Sequence, residues 1–223
     1  MPVHLHKELE RLKKRILSLG AMVEERVRMA VKALDLRDAA LAEKIINSDH
    51  EIDELEVDVE EECLKILALH QPVAIDLRFL IATIKINNDL ERVADEAVNI
   101  AQRVVVLTKR VRLDLPFSYS LMAEKSAAML KESLDALVNM DDDLALHVRV
   151  SDDEVDAMLN EAYDAVKHAI SEHPERVGYL INLFLISRHL ERIADHATNI
   201  AEEVVYLIEG EIVRHANKGL GNE

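Results

Sequence analysis

Glycine and proline are scarce in this chain, 5 and 4 in 223 residues. Sheet proteins need these residues wherever a strand reverses, so their shortage argues against β architecture. It also removes the Gly-rich phosphate loops, since neither a Walker A nor a GxGxxG pattern occurs. Tryptophan is absent and Phe and Tyr number 3 and 4, too few for a platform on which single-stranded nucleic acid stacks. The net charge of −16 repels a phosphate backbone, so nucleic-acid binding is not expected. Anionic membrane surfaces meet the same repulsion, although Lys7, Arg11, Lys13, Lys14 and Arg15 make the first helix locally basic. A single cysteine, Cys63, excludes an internal disulfide. Lacking a CxxC or charged partners, it reads as a small buried hydrophobe and not a nucleophile. No apolar run nears the roughly 18 residues of a membrane span. The charged N-terminus is no secretory signal, so a cytoplasmic protein is expected.

What is present is a repeat. Leu90–Leu107 reads LERVADEAVNIAQRVVVL and Leu190–Leu207 reads LERIADHATNIAEEVVYL, identical at twelve of eighteen positions. A period of about half the chain means two tandem copies of one unit, not a solenoid. Glu91, Asp95 and Asn99 recur as Glu191, Asp195 and Asn199, polar groups at i, i+4 and i+8 along one line of a helix.

Hydrophobics at 49% with 31% charged residues suit long amphipathic helices. Leu5, Leu9, Leu12, Ile16, Leu19, Val23, Val27, Val31 and Leu34 form one seam at spacings of three and four. A second helix is expected from Asp38 as N-cap to about Leu69, and Pro72 breaks the pattern. The third runs from about Val73 to Arg110. The segment 111–117, with Pro116, separates the halves. Helices four, five and six follow to about Met140, His173 and Ile212, with Asp141–Asp143 as an acidic start and Pro174 as a turn. The tail 217–223 is expected to fray. The fold class is therefore all-α: two tandem three-helix bundles, residues 1–112 and 113–223.

Each half also carries DxxxD on its second helix, Asp49/Asp53 and Asp152/Asp156, facing ExxxD on its third, Glu91/Asp95 and Glu191/Asp195. Like charges at i, i+4 destabilise a helix by a few tenths of a kcal/mol, so four such pairs in corresponding places need an account. Register supplies one. In an antiparallel hairpin, residues equidistant from the turn lie level. Asp53 and Glu91, like Asp49 and Asp95, are equidistant from Pro72. Asp156 and Glu191, like Asp152 and Asp195, are equidistant from the bond between His173 and Pro174. Four carboxylates at one height repel unless protonated or neutralised. An all-oxygen site of this charge suits hard cations such as Mg²⁺, Ca²⁺, Mn²⁺ or ferric iron, and more than one ion can be held. The alternative is a solvated acidic face beside Arg92 and Arg192. Asn99 and Asn199 are extra ligands or, by preference, hydrogen-bonders on the helix surface. His196 is read as an outer residue in preference to a ligand. HExxH and Glu-x-x-His are both absent, which counts against a redox di-iron enzyme.

The doubled LERVADEAVNIA/LERIADHATNIA motif, the upstream acidic pairs and the QPVAIDLRFL segment resemble the PhoU family of phosphate-signalling proteins, over essentially the whole chain. The resemblance implies a cytoplasmic, often dimeric regulator and not an enzyme. Such a regulator works with the ABC-type phosphate transporter and a phosphate-sensing histidine kinase, restraining the starvation response and uptake. It also implies multinuclear iron or zinc clusters on E(D)xxxD motifs, here Glu91, Asp95, Glu191 and Asp195, faced by Asp49, Asp53, Asp152 and Asp156. The second copy departs in having His196 for Glu96 and no counterpart of the QP…DLR segment. A metal-storage or hydrolytic carboxylate centre is the alternative function.

Overall fold

The structure, a computed structural model, describes residues 3–48, 50–113 and 115–210. Seven α-helices follow one another: α1 (Val3–Leu36), α2 (Ala39–Asn47), α3 (His50–His70), α4 (Ile75–Thr108), α5 (Tyr119–Asn139), α6 (Asp142–Glu172) and α7 (Val177–Glu209). A 3-10 turn, Pro174–Arg176, precedes α7, and no strand occurs among the described residues. The six expected helix positions are all filled, but the second is interrupted.

The interruption corrects the expectation of one helix over 38–69. Ser48 has neither glycine nor proline beside it, but Ser48 and Glu51 stand at the capping-box spacing that marks a helix start, and the Glu51 amide donates to the Ser48 carbonyl at 3.4 Å. From α1 the buried Arg26 also donates from Nη2 to the Ser48 carbonyl, at 2.6 Å. The Ser48 hydroxyl meanwhile donates to the Ile45 carbonyl at 3.2 Å. These side-chain contacts gather at the break, and α3 begins at His50.

Other ends follow local rules. The side chains of Asp38, Ser118 and Asp141 accept from the amides of Leu41, Leu121 and Leu144 at 3.0, 3.2 and 2.9 Å, capping α2, α5 and α6. The turn at Pro72 reverses through Gln71 and Ala74, both at positive φ, and His70 Nε2 pins it to Glu8 on α1 at 2.6 Å. α7 stops at Gly210, which takes φ 78° without side-chain strain. Its expected extension to 212 and the tail 217–223 lie outside the described residues. The connection from α4 to α5 is tied down by Arg37, which donates to the carbonyl of Arg110 at 2.9 Å and to the Tyr179 hydroxyl at 3.2 Å.

Met140 closes α5 at φ 53°, ψ 52°, a left-handed conformation that costs an L-residue about 1 kcal/mol. Met140→Gly is therefore expected to stabilise the protein by about 1 kcal/mol and raise the melting temperature by roughly 2–4 °C in a thermal melt. An unchanged or lower midpoint would mean that the half-exposed methionine contributes more by packing than its backbone loses.

In the first repeat α1 and the α2/α3 rod pack on α4, and in the second α5 and α6 pack on α7. α4 and α7 then pack on each other, and α1 on α5, so one continuous core runs through both repeats. Leu90, Val93, Ala97 and Ile100 of α4 and Leu190, Ile193, Ala197 and Ile200 of α7 belong to this core, all essentially inaccessible to water. The alternating alanines let the two central helices approach closely. They run antiparallel: His189 meets Glu96, His196 meets Asp89, and Lys85 meets Glu203. Position 89 of one copy thus faces position 96 of the other, and the reverse, which is the signature of a pseudo-two-fold axis.

Candidate metal centres

The acidic pairs of both halves lie where the second helix position crosses the central helix of its own repeat. In the second repeat the four predicted side chains lie near enough to act on one another's charge. Asp152 and Asp156 project from α6, Glu191 and Asp195 from α7; Asp152 and Glu191 are half-buried, Asp156 and Asp195 exposed. Partial loss of solvent, then Asp195, then Asp156 push the Asp152 carboxyl up to about 6. The same loss of solvent, with Asp195, Asp156 and Asp152, pushes Glu191 up to about 7 against the opposing pull of Arg188. Asp195, which the neighbouring helix still robs of some water, is raised by that and by Asp156, against His196 and Arg192. Thr198 Oγ1 donates to Asp152 Oδ1 at 3.2 Å.

In the first repeat Asp53 is on α3, exposed, while Glu91 and Asp95 on α4 are half-buried; Asp49 lies outside the described residues. Glu91 is raised by desolvation first and by Asp95 next, against Arg92, with Glu56 and Asp53 adding to the rise. Asp95 is raised by desolvation, against Arg92, and then by Asp53. Glu56 is an acidic neighbour that the search for ExxxD and DxxxD patterns passed over. It is held by the buried Asn87, whose Nδ2 donates to its carbonyl and Oε1 at 3.0 and 2.9 Å. Its signal was available, since residues 56 and 87 are nearly equidistant from Pro72.

The hairpin register follows the spacing closely. Tyr163 and Phe184 stack edge-on at 5.8 Å and are equidistant from the turn at Pro174. Farther from it, Asp152 meets Thr198 and Arg149 meets Glu202 at 3.5 Å, three or four residues past the symmetric partner. Helical side chains lean toward their own N-terminus, which gives an offset of this sense across a hairpin.

Among the described residues, no three His, Cys, Asp or Glu side chains are already drawn around one point as ligands. The carboxylates act on one another's charge: Asp195 and Asp156 help to raise Asp152 and Glu191, and Asp95 helps to raise Glu91. Their chemistry fits a hard cation: oxygen donors only, several per site, and mutual repulsion that a positive ion relieves. The other polar residues of the motif serve the helix pair. Asn99 Nδ2 donates to Glu96 at 3.4 Å and Asn199 Nδ2 to Asp89 at 3.2 Å, the hydrogen-bonding role preferred for them. His196 Nδ1 is bonded to Asp89 at 2.9 Å across the repeat boundary. Cys63 is fully buried, and burial, then Glu62 and Glu60, push its thiol up to about 12, far from a nucleophile.

The two repeats are electrostatically unequal. Arg92 folds onto its own cluster, with Nε 3.3 Å from Glu91 and Nη1 3.6 Å from Asp95. Arg192, its counterpart, reaches the other way and places Nη1 3.0 Å from Glu96. Glu96 is 3% exposed and also shares a 2.6 Å hydrogen bond with His189 Nδ1. Burial alone would raise its pKa, but His189, Arg192 and Asn99 outweigh burial and hold the carboxyl below its ordinary value.

Comparison with known proteins places both repeats. The family described as the PhoU domain matches twice, at residues 16–104 and 119–204. The chain is 38% identical over 211 residues to the phosphate-specific transport system accessory protein PhoU homolog of Pseudomonas aeruginosa, covering 93% of this chain and 86% of that one. It is 39% identical over 211 residues to the homolog of the same description from Aquifex aeolicus, covering 95% and 96%. Among solved structures, PhoU from Pseudomonas aeruginosa superposes with a TM-score of 0.87 at 37% identity, covering 92% of this chain and 99% of that one. The phosphate transport system regulatory protein PhoU from Streptococcus pneumoniae superposes with a TM-score of 0.83 at 32% identity, covering 94% and 99%.

Proposed function

Since the chain belongs to the PhoU family, we propose that it is an accessory and regulator of the phosphate-specific transport system. In this reading it is a cytoplasmic adaptor, dimeric like the relatives the motif resembles. It docks on the transporter's ATPase and on a phosphate-sensing histidine kinase, and it restrains uptake and the starvation response when phosphate is plentiful. The observation that carries the reading is that both repeats match the family across nearly the full length of relatives named for that transport system. None of the described helices is long and apolar enough to cross a membrane, so contact with the membrane would come through the partners.

The carboxylate clusters are the second part of the proposal. Asp53, Glu91 and Asp95, with Asp49 and the newly found Glu56, would hold one centre. Asp152, Asp156, Glu191 and Asp195 would hold the other. Iron is the first expectation and zinc or another divalent ion the next. Bound there, a cation supplies compensating charge. The chain's own contribution is to present oxygens from two helices so that neutralisation ties α3 to α4 and α6 to α7. The role is regulatory, and no catalytic residue is assigned.

The test uses the full-length protein as bait for the transporter ATPase and for the cytoplasmic part of the kinase, alongside a strain lacking the gene. Both partners should be retained, and the starvation response should stay on in phosphate-rich medium when the gene is deleted. Failure to retain either partner, with normal repression in the deletion strain, overturns the reading. Turnover of phosphoesters by the metal-loaded protein would favour the hydrolytic centre instead.

A further inference from the structure

We propose that the two clusters differ in cation affinity, the second being the tighter, because Glu96 of the first repeat holds Arg192 away from the second cluster. The inference rests on the reading of both clusters as cation sites and goes beyond it by naming the residue that sets them apart.

The argument is a comparison of two equivalent arginines inside one molecule. Arg92 and Arg192 occupy the same place in the repeated motif, one residue after the first acid of each ExxxD. Across the pseudo-two-fold axis, Arg192 looks toward position 96 and Arg92 toward position 196. Position 96 is Glu96, buried and held by His189 at 2.6 Å, and Arg192 closes on it at 3.0 Å. Position 196 is His196, already bonded to Asp89 at 2.9 Å, and offers Arg92 no anion. Arg92 therefore settles on Glu91 and Asp95.

A cation arriving at the first cluster must displace this guanidinium or share its carboxylates with it. At the second cluster Arg192 and His196 still act on Asp195 from a distance, but Arg192 closes its ion pair with Glu96, so an arriving cation has no paired guanidinium to displace. Arg188, where the first repeat has Asn88, adds positive charge near Glu191 but closes no ion pair with it. Glu96 thus acts as a positioning residue: it lends no oxygen to the second cluster and works only through where it keeps Arg192.

Mn²⁺ titrated calorimetrically into two backgrounds separates the sites. Glu91→Ala/Asp95→Ala leaves the second cluster, and Glu191→Ala/Asp195→Ala leaves the first. The second should bind about tenfold more tightly, within the usual range of electrostatic coupling. Adding Glu96→Gln to the first background should weaken Mn²⁺ binding about tenfold, because Arg192 falls back onto Glu191 and Asp195 as Arg92 does on its own cluster. Adding Arg192→Met as well should restore the affinity, an interaction that a merely structural role for Glu96 would not produce. Should Glu96→Gln fail to fold by circular dichroism, Arg192→Met alone decides: it should leave the second cluster as tight or tighter, and a large loss overturns the proposal. Equal affinities with and without Glu96→Gln overturn it while leaving the cation reading intact. No Mn²⁺ binding by the unaltered protein overturns both.

Discussion

Truncating Leu90 to alanine should destabilise both repeats together, by about 3 kcal/mol, with a fall in melting temperature of roughly 6–12 °C. Leu90 is wholly inaccessible to water and sits on α4, where the first repeat abuts the second. Loss of its buried methyl groups leaves a cavity that the crowded alanines around it cannot collapse to fill. The chain provides its own reporter for the shared effect. All four tyrosines, Tyr119, Tyr163, Tyr179 and Tyr206, lie in the second repeat. With Tyr179 and Tyr206 changed to Phe, because they also touch Arg37 and Lys85 of the first repeat, tyrosine fluorescence reports mainly on that half, while far-ultraviolet dichroism follows every helix. The two signals should shift by the same amount and retain one midpoint. A tyrosine midpoint unmoved while part of the helix signal melts earlier would mean that the halves unfold independently, against the continuous core.

Saturating Mn²⁺ at pH 8 should raise the melting temperature by roughly 10–20 °C, since a ligand at one hundred times its dissociation constant stabilises by about 2.7 kcal/mol per site and both clusters would be filled. The metal-free protein should itself depend on pH in a definite direction. Glu191 and Asp152 sit at about 7 and about 6 when folded, against ordinary values of 4.5 and 3.8. The folded chain thus holds protons that the unfolded chain has released, and stability falls as pH rises between about 4.5 and 7. Glu96 shifts the other way, but its depressed value places its loss of stability below pH 4.5, outside this window. The metal-free protein should therefore melt higher at pH 5 than at pH 8. The stabilisation by Mn²⁺ should shrink at pH 5, where protons compete for the same oxygens. A metal-free protein that melts higher at pH 8 than at pH 5, or a Mn²⁺ effect equally large at both, would show that these carboxylates neither repel nor bind as described.

Much of this was legible from residues alone. The doubled motif announced two copies, and the distances of Asp53, Glu91, Asp156 and Glu191 from Pro72 and Pro174 gave the hairpin register. Both are local or repetitive signals, and helix periodicity preserves them. The break at Ser48 was legible only in part: Ser48 and Glu51 carry the capping-box spacing, which was passed over, but the Arg26 that meets the Ser48 carbonyl comes from another helix, 22 residues earlier. Glu56 was missed because it stands outside the ExxxD and DxxxD patterns, although its distance from Pro72 matches that of Asn87. The packing of α4 against α7 left a fainter trace. Among the differences between the copies in and beside the repeated motif, Asp89 against His189 and Glu96 against His196 are complementary. Only pairing across the axis explains why an acid in one copy became an imidazole in the other at both places.

That reciprocal contact also bears on how such a chain can arise and be rebuilt. Two separate molecules of a half-length ancestor, associating about the same axis, would be forced to present identical residues on both sides. Joining them end to end lifts that constraint, and each side is then free to specialise against the other. The present halves have done so to the point of no return. A chain made by doubling the first half would set Asp89 against Glu96 at both contacts, and one made by doubling the second would set His189 against His196. Neither homogeneous version reproduces the acid–imidazole pairs, so the halves are now complementary parts and no longer interchangeable ones.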